Sequence, residues 1–351
     1  MSLTRYDVHF DLGEFEAEPL PKCEPPFWAT GGHAQTLVGH FLPFPKIKEQ
    51  DEEIKIPLHG GDCLIAHHYA GTSGTVVYLF HGLGGESHRS YMQRTALLAR
   101  RLHHTVFLVN HRGCGTGRGL AREPYHSGRS DDLSAVIAEG RRRYPVATHL
   151  AIGFSLSANA LLLLSANKNP FDRELTLPDA SIAVNAPIQL ARASELLLKG
   201  LNRIYDFSFM GDMRNAIQSR IEAGHDVAPV ALKRFTTLRD FDNLYTAPAG
   251  GFTSREHYYE SASAAQYLAQ IQIPTILITA NDDPFVAAED YREARLSPLV
   301  HLHIESHGGH MGYITKNKTP LGTRRWLDFA LFRFMLALKS PSFSSGSVDF
   351  V

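Results

Sequence analysis

The stretch His149–Ser165 reads HLAIGFSLSANALLLLS. An apolar run is broken at Gly153-Phe154-Ser155-Leu156-Ser157 and then resumes as a leucine-rich run. The first half has the composition of a buried strand and the second that of a buried helix, so the break marks a strand-to-helix turn. Such a turn is an ordinary packing device. It is also where a serine can be presented for chemistry, because strand and helix approach closely there and the backbone holds Oγ outward. Gly153 supplies the small residue before the serine. Ser157 stands where the strict Gly-x-Ser-x-Gly pattern has glycine, with Ala158 beside it. If position 157 only needs to be small, Ser157→Gly is tolerated and Ser157→Leu is not. A serine is a poor nucleophile until a base takes its proton and a third group orients that base. The partners must come from the rest of the chain.

Upstream, EIKIPL (53–58), CLIAHHYA (63–70), TVVYLFHG (75–82) and TVFLVN (105–110) read as strands, with helices at 91–104 and 131–144. The second helix opens with acids and closes with Arg141, Arg142 and Arg143, matching the helix dipole; these arginines read as a solvated helix end. Downstream, ASIAVNAP (180–187), PTILITA (274–280) and VHLHIES (300–306) read as strands. Helices are read at 157–168, 261–271, 287–296 and 322–339. Strands alternating with helices imply a mostly parallel, doubly wound α/β sheet, and the helix-free strands near the start imply antiparallel edge strands.

Residues 1–50, rich in Pro and Gly, read as an irregular arm packing on the body. Residues 51–187 form the first part of the core. Residues 188–260 break the rhythm and read as a helical lid or cap insertion. Residues 261–340 complete the core, and 341–351 form a loose tail. In sheets of this kind ligands bind at the carboxyl ends of the strands. That rule selects His81-Gly82-Leu83-Gly84-Gly85, His111-Arg112-Gly113, Ser155, Asn281-Asp282-Asp283, and His307 with His310. A serine, two acids and two histidines therefore meet at one edge. Successive side chains at a strand end point to opposite sides, so only one of Asp282 and Asp283 faces a given histidine. The chain order serine, acid, histidine is that of the α/β-hydrolase triad. The oxyanion donors expected for such a triad are the backbone N–H groups of Leu156, after the serine, and Leu83, in the loop after the third strand.

Composition sets bounds. The 351 residues carry 44% hydrophobic and 20% charged residues and a formal charge of -1. These values describe an ordinary globular protein and give no electrostatic reason to expect nucleic acid as a partner. Cys23, Cys63 and Cys114 stand far apart, which points to a reducing compartment rather than a disulfide framework. The first twenty residues contain acids and no apolar core, so no secretory signal is read, and no membrane span is found. The expected location is the cytoplasm. His67-His68 and His301-Leu302-His303 lack the spacing of a metal site and read as strand residues, so no metal or cofactor is expected. RGCGTGRG (112–119) has the look of a phosphate cradle. It matches neither GxGxxG nor GxxxxGK[ST] and reads as a turn after a strand.

The motifs GGHAQTL (31–37), FHGLGGESHRSY (80–91), NHRGCG (110–115), YHSGRSDDL (125–133), GFSLSAN (153–159), FDNLYTAPAGGF (241–252), YYESAS (258–263), ANDDPF (280–285) and SHGGHMGY (306–313) follow one another along roughly residues 25–320. In them the chain resembles the YheT-like group of α/β-hydrolases, related to the mammalian abhydrolase-domain esterases. It departs from the group's pattern at Ser157-Ala158, where Gly-Gly is usual, and at Thr116. The resemblance implies Ser155 as nucleophile, Asp283 as orienting acid and His310, rather than His307, as base. The first expectation for function is a serine carboxylesterase acting on short-to-medium acyl esters, small-molecule or lipid, through an acyl-enzyme. A thioesterase or acyltransferase using the same triad and a non-catalytic binding module of the same fold are the competing expectations.

Overall fold

The computed structural model describes residues 8–13, 18–49, 51–227 and 230–339. Ten strands are present among them. β2 (Glu52–Pro57), β3 (Cys63–Tyr69), β4 (Thr75–Phe80), β5 (Thr105–Asn110), β6 (Thr148–Phe154), β7 (Ala180–Val184), β8 (Thr275–Ala280) and β9 (Val300–Glu305) form one sheet in the order β2-β3-β5-β4-β6-β7-β8-β9. β2–β3 and β3–β5 pair antiparallel, and all other pairs are parallel. This is the α/β-hydrolase architecture expected from the sequence, including its antiparallel entry strands. The local reason is burial. β4, β5, β6 and β8 are continuous apolar runs covered on both faces, whereas edge strand β2 alternates exposed and buried residues.

One face carries α2 (Ser90–Arg101) and α8 (Trp326–Ala337), whose Met92, Ala96, Trp326 and Phe334 pack on Val77, Leu79, Val106 and Ile152. The other carries α3 (Ser130–Arg143) and α4 (Leu156–Ser165), whose Leu133, Ile137, Leu161 and Leu164 pack on Tyr78, Phe80, Phe107 and Ala151. Helix α4 is buried at every position from Ser157 to Ser165, which explains why its sequence is apolar all round. β4 lies between β5 and β6, so the chain turns in opposite directions from it. The crevice above such a switch point is where these sheets bind ligands.

Three readings need correction. The arm is not wholly irregular. It contains α1 (Gly32–Phe41), and β1 (His9–Phe10) pairs antiparallel with β10 (Leu338–Lys339) at the end of the last helix. Helix α1 is held by tertiary contacts: Gln35 is buried and bonds the carbonyls of Ala29 and Ile314 and the N–H of Ile314. The helix read at 261–271 stops at Ala262. Ser263 is extended, and a 3-10 turn follows over Ala264–Gln270. The arginine end of α3 is also tied down, with Arg141 reaching the Leu177 carbonyl and Asp179, and Arg143 reaching Glu52. The tail at 341–351 lies outside the described residues.

Between β7 and β8 the chain leaves the sheet to form α5 (Leu190–Leu197), α6 (Arg203–Glu222), a short turn of helix at Leu238–Phe241 running into a π-turn at Asp242–Thr246, and α7 (Arg255–Ala262). No described helix is long and apolar enough to cross a membrane.

Candidate active site

Ser155 follows β6 directly and has φ 55° and ψ −121°, a conformation that a residue with a Cβ adopts only when its surroundings force it. The close approach behind it falls on two glycines. A Cβ at Gly153 would lie 2.8 Å from the Ser157 carbonyl oxygen and 3.0 Å from the Ala158 Cα, and one at Gly82 would lie 2.9 Å from the Ser155 Cβ. The Ser155 Oγ is 2.9 Å from His310 Nε2, and His310 Nδ1 is 2.8 Å from Asp283 Oδ2. Asp283 is fully enclosed. Its Oδ2 also accepts from Asn185 Nδ2 at 2.7 Å, and its Oδ1 accepts the N–H groups of Phe285 and Val286 at 3.1 and 3.0 Å. Phe285 packs on the imidazole with ring centroids 4.1 Å apart. The three residues thus form a hydrogen-bonded chain able to move a proton off the serine.

The two competing residues lie elsewhere. Asp282 Oδ1 accepts the N–H groups of Gly308 and Gly309, both at 2.8 Å, so this acid shapes the loop that carries His310. His307 is half exposed and faces Asp282 at 3.5 Å. Leu83 and Leu156 both line the cavity around Ser155, and among the described residues neither backbone N–H has an acceptor. That cavity has a volume of about 80 Å³ and is walled by Leu190, Leu197, Phe209, Leu238, Phe285 and Val286. Asp242 also lines it. Burial raises its carboxyl to about 6, partly offset by a hydrogen bond from Tyr259.

Several positioning residues escaped the sequence reading. The His310 N–H donates to Thr36 Oγ1 at 2.8 Å, and a Cβ on Gly39 would meet Gly312 Cα at 2.5 Å, so α1 clamps the histidine loop. GGHAQTL was visible as a motif without a role. Asn185 follows β7 just as Ser155 follows β6, so the same strand-end rule, applied to one more strand, finds it. Ser157 is not a mere spacer. Its buried hydroxyl donates to the His81 carbonyl and lies 2.7 Å from both Tyr125 OH and His111 Nε2. Burial drives His111 well below the usual histidine range, so its neutral ring donates through Nε2. This network underpins the loop that carries Leu83.

The α/β hydrolase fold family matches residues 75–317. The chain belongs to that family. Within it, this hydrolase falls in the YheT-like group: it is 30% identical over 254 residues to the YheT protein of Escherichia coli, which bears an esterase name, covering 71% of this chain and 73% of that one. It is 26% identical over 270 residues to the monoacylglycerol lipase of Saccharomyces cerevisiae, covering 74% of this chain and 58% of that one. The esterase Pf2001 of Pyrococcus furiosus superposes with a TM-score of 0.53 at 16% identity, covering 84% of this hydrolase and 99% of that chain; this likeness supports the fold.

Proposed function

We propose that the chain is a serine carboxylesterase that hydrolyses short-to-medium acyl esters, small-molecule or lipid, through an acyl-enzyme. The observation that carries the reading is the unbroken Ser155–His310–Asp283 hydrogen-bond chain at a strained strand-to-helix turn. Ser155 Oγ attacks the ester carbonyl while His310 Nε2 takes its proton. The N–H groups of Leu83 and Leu156 stabilise the oxyanion, a contribution of about 2.7–4 kcal/mol per donor in the precedent of a related mechanism. His310 then returns the proton to the departing alcohol, and water repeats the sequence on the acyl-enzyme. Asp283, hydrogen-bonded through both carboxyl oxygens, fixes the imidazole with Nε2 toward the serine. The helices between β7 and β8 act as the lid and supply the apolar wall for the acyl chain. The names of the E. coli and yeast relatives support an ester or lipid substrate. The three free cysteines fit a reducing compartment, and we place the protein in the cytoplasm. A panel of p-nitrophenyl esters of increasing acyl length tests the reading. Hydrolysis strongest at short-to-medium length and lost in Ser155→Ala is expected; equal turnover by the variant sinks it.

A further inference from the structure

A second cavity, of about 110 Å³, adjoins that of Ser155 and shares Tyr125, Met213 and Thr246 with it. Its walls come from Gly84 and Gly85 of the loop after β4, from Gly113, Cys114 and Gly115 of the RGCGTGRG loop after β5, and from α6. The proposed reaction uses none of these side chains. The cavity holds several times the ~30 Å³ share of one water molecule.

Its charge is unbalanced. Arg89, Arg118 and Arg220 line it, and among the described residues no carboxylate lies within ion-pair distance of any of them. Arg220 is 2% exposed. Its terminal nitrogens donate only to the carbonyls of Ala216 and Glu123, at 3.1 and 3.3 Å, and its Nε has no partner. A buried guanidinium without an anion is costly, so its retention calls for a partner that arrives from outside. Arg118 is exposed and its guanidinium makes no hydrogen bond among the described residues, while Arg89 holds the Gly84 carbonyl at 2.7 Å. The fourth arginine, Arg112, is committed to Asp62 and Asp132.

Two carboxylates, Glu86 and Asp212, also line the cavity. Burial raises the Asp212 carboxyl against the opposing pull of Arg89 and Arg118, and desolvation pushes the Cys114 thiol up to about 12, so Cys114 adds no charge at neutral pH. The glycines keep the floor open. Gly113 and Gly115 have φ of 69° and 53°, and a Cβ at Gly113 would lie 3.2 Å from the Arg220 guanidinium.

We propose that this cavity is a phosphate subsite, and that the ester cleaved at Ser155 carries a phosphate group on its alcohol portion, received by Arg220, Arg118 and Arg89. The assignment rests on the esterase reading above. The cavity borders both the oxyanion loop and the Ser155 cavity, so an alcohol leaving group can extend into it while the acyl chain lies against the lid. Arginine suits the ligand because its planar fork pairs with phosphate oxygens through charge-assisted hydrogen bonds.

The test compares 1-hexanoylglycerol 3-phosphate with 1-hexanoylglycerol, which share acyl chain and scissile bond. The wild type is expected to favour the phosphate ester at least about tenfold in kcat/KM, mainly through KM. Arg220→Gln and Arg118→Gln are expected to lose that preference. The exposed Arg118 keeps the test decisive where the buried variant misfolds. Calorimetric titration with glycerol 3-phosphate adds a readout independent of turnover, with binding expected in the wild type and weakened in Arg118→Gln. Equal kcat/KM for the two esters, or a preference that survives Arg118→Gln, overturns the subsite. So does binding of inorganic phosphate without any preference between the esters, which would make the cavity a site for the free ion. Loss of both hydrolyses together with normal glycerol 3-phosphate binding would instead overturn the esterase reading and leave the phosphate site standing.

Discussion

Ser157 stands where the strict Gly-x-Ser-x-Gly pattern has glycine, and its hydroxyl is structural. It joins the His81 carbonyl, Tyr125 and His111 behind the loop that carries Leu83, all of them buried. Removing it leaves buried polar groups unpaired, at about 1–3 kcal/mol. Ser157→Gly should therefore lower the free energy of unfolding in a denaturant titration by that order. An unchanged midpoint would show that the network stands without the hydroxyl. The adjacent acids give a sharper contrast. Asp283 bonds the imidazole, whereas Asp282 bonds two N–H groups of the loop. Asp283→Asn should cost ~10⁴ in kcat, following the serine-protease precedent. Asp282→Asn keeps a carbonyl oxygen for Gly308 and Gly309 and should lower activity only modestly. The reverse ranking in folded variants would transfer the orienting role to Asp282.

At the level of elements, the residues at the strand ends were legible and the contacts that support them were not. Continuous apolar runs such as TVVYLF and TVFLVN announce buried parallel strands, and the residues after them are read directly from the sequence. Helix α1 gives no comparable signal. Its sequence, GHAQTLVGHF, has two glycines and a weak apolar face, and it is helical because Gln35, Thr36 and Gly39 each meet the 308–314 segment, distant in the chain. Likewise, the end of α7 at Ala262 depends on Asn159, whose side chain donates to the carbonyl of Ala262 and accepts the N–H of Ala264. Long-range contacts of this sort override local pattern. The helix should matter to turnover. Thr36→Val removes the acceptor of the His310 N–H while keeping the shape, and should lower kcat about tenfold with little change in KM. A change confined to KM would place α1 in substrate binding instead.

Across the whole molecule, buried histidines make stability fall on the acid side. Burial lowers His81, His104 and His149 to about 4, and His111 and His126 well below the usual range. Each is neutral in the fold and takes a proton on unfolding, so the unfolded chain binds more protons below its ordinary value of about 6.5. The stabilisation is complete above that pH and is lost progressively as pH falls toward 4. The denaturant midpoint should drop between about pH 7 and pH 5, with proton uptake on unfolding. A flat midpoint over that range contradicts this account. The architecture that buries these rings also brings Ser155, Asp283 and His310 to one edge of the sheet from three separate loops. Fluorophosphonate labelling of the intact protein, with the adduct mapped by peptide mass spectrometry, tests that convergence most directly. One adduct on Ser155, lost in Ser155→Ala and strongly slowed in His310→Gln, is the expected result; a folded wild type that takes no label, or takes it on another serine, contradicts the account.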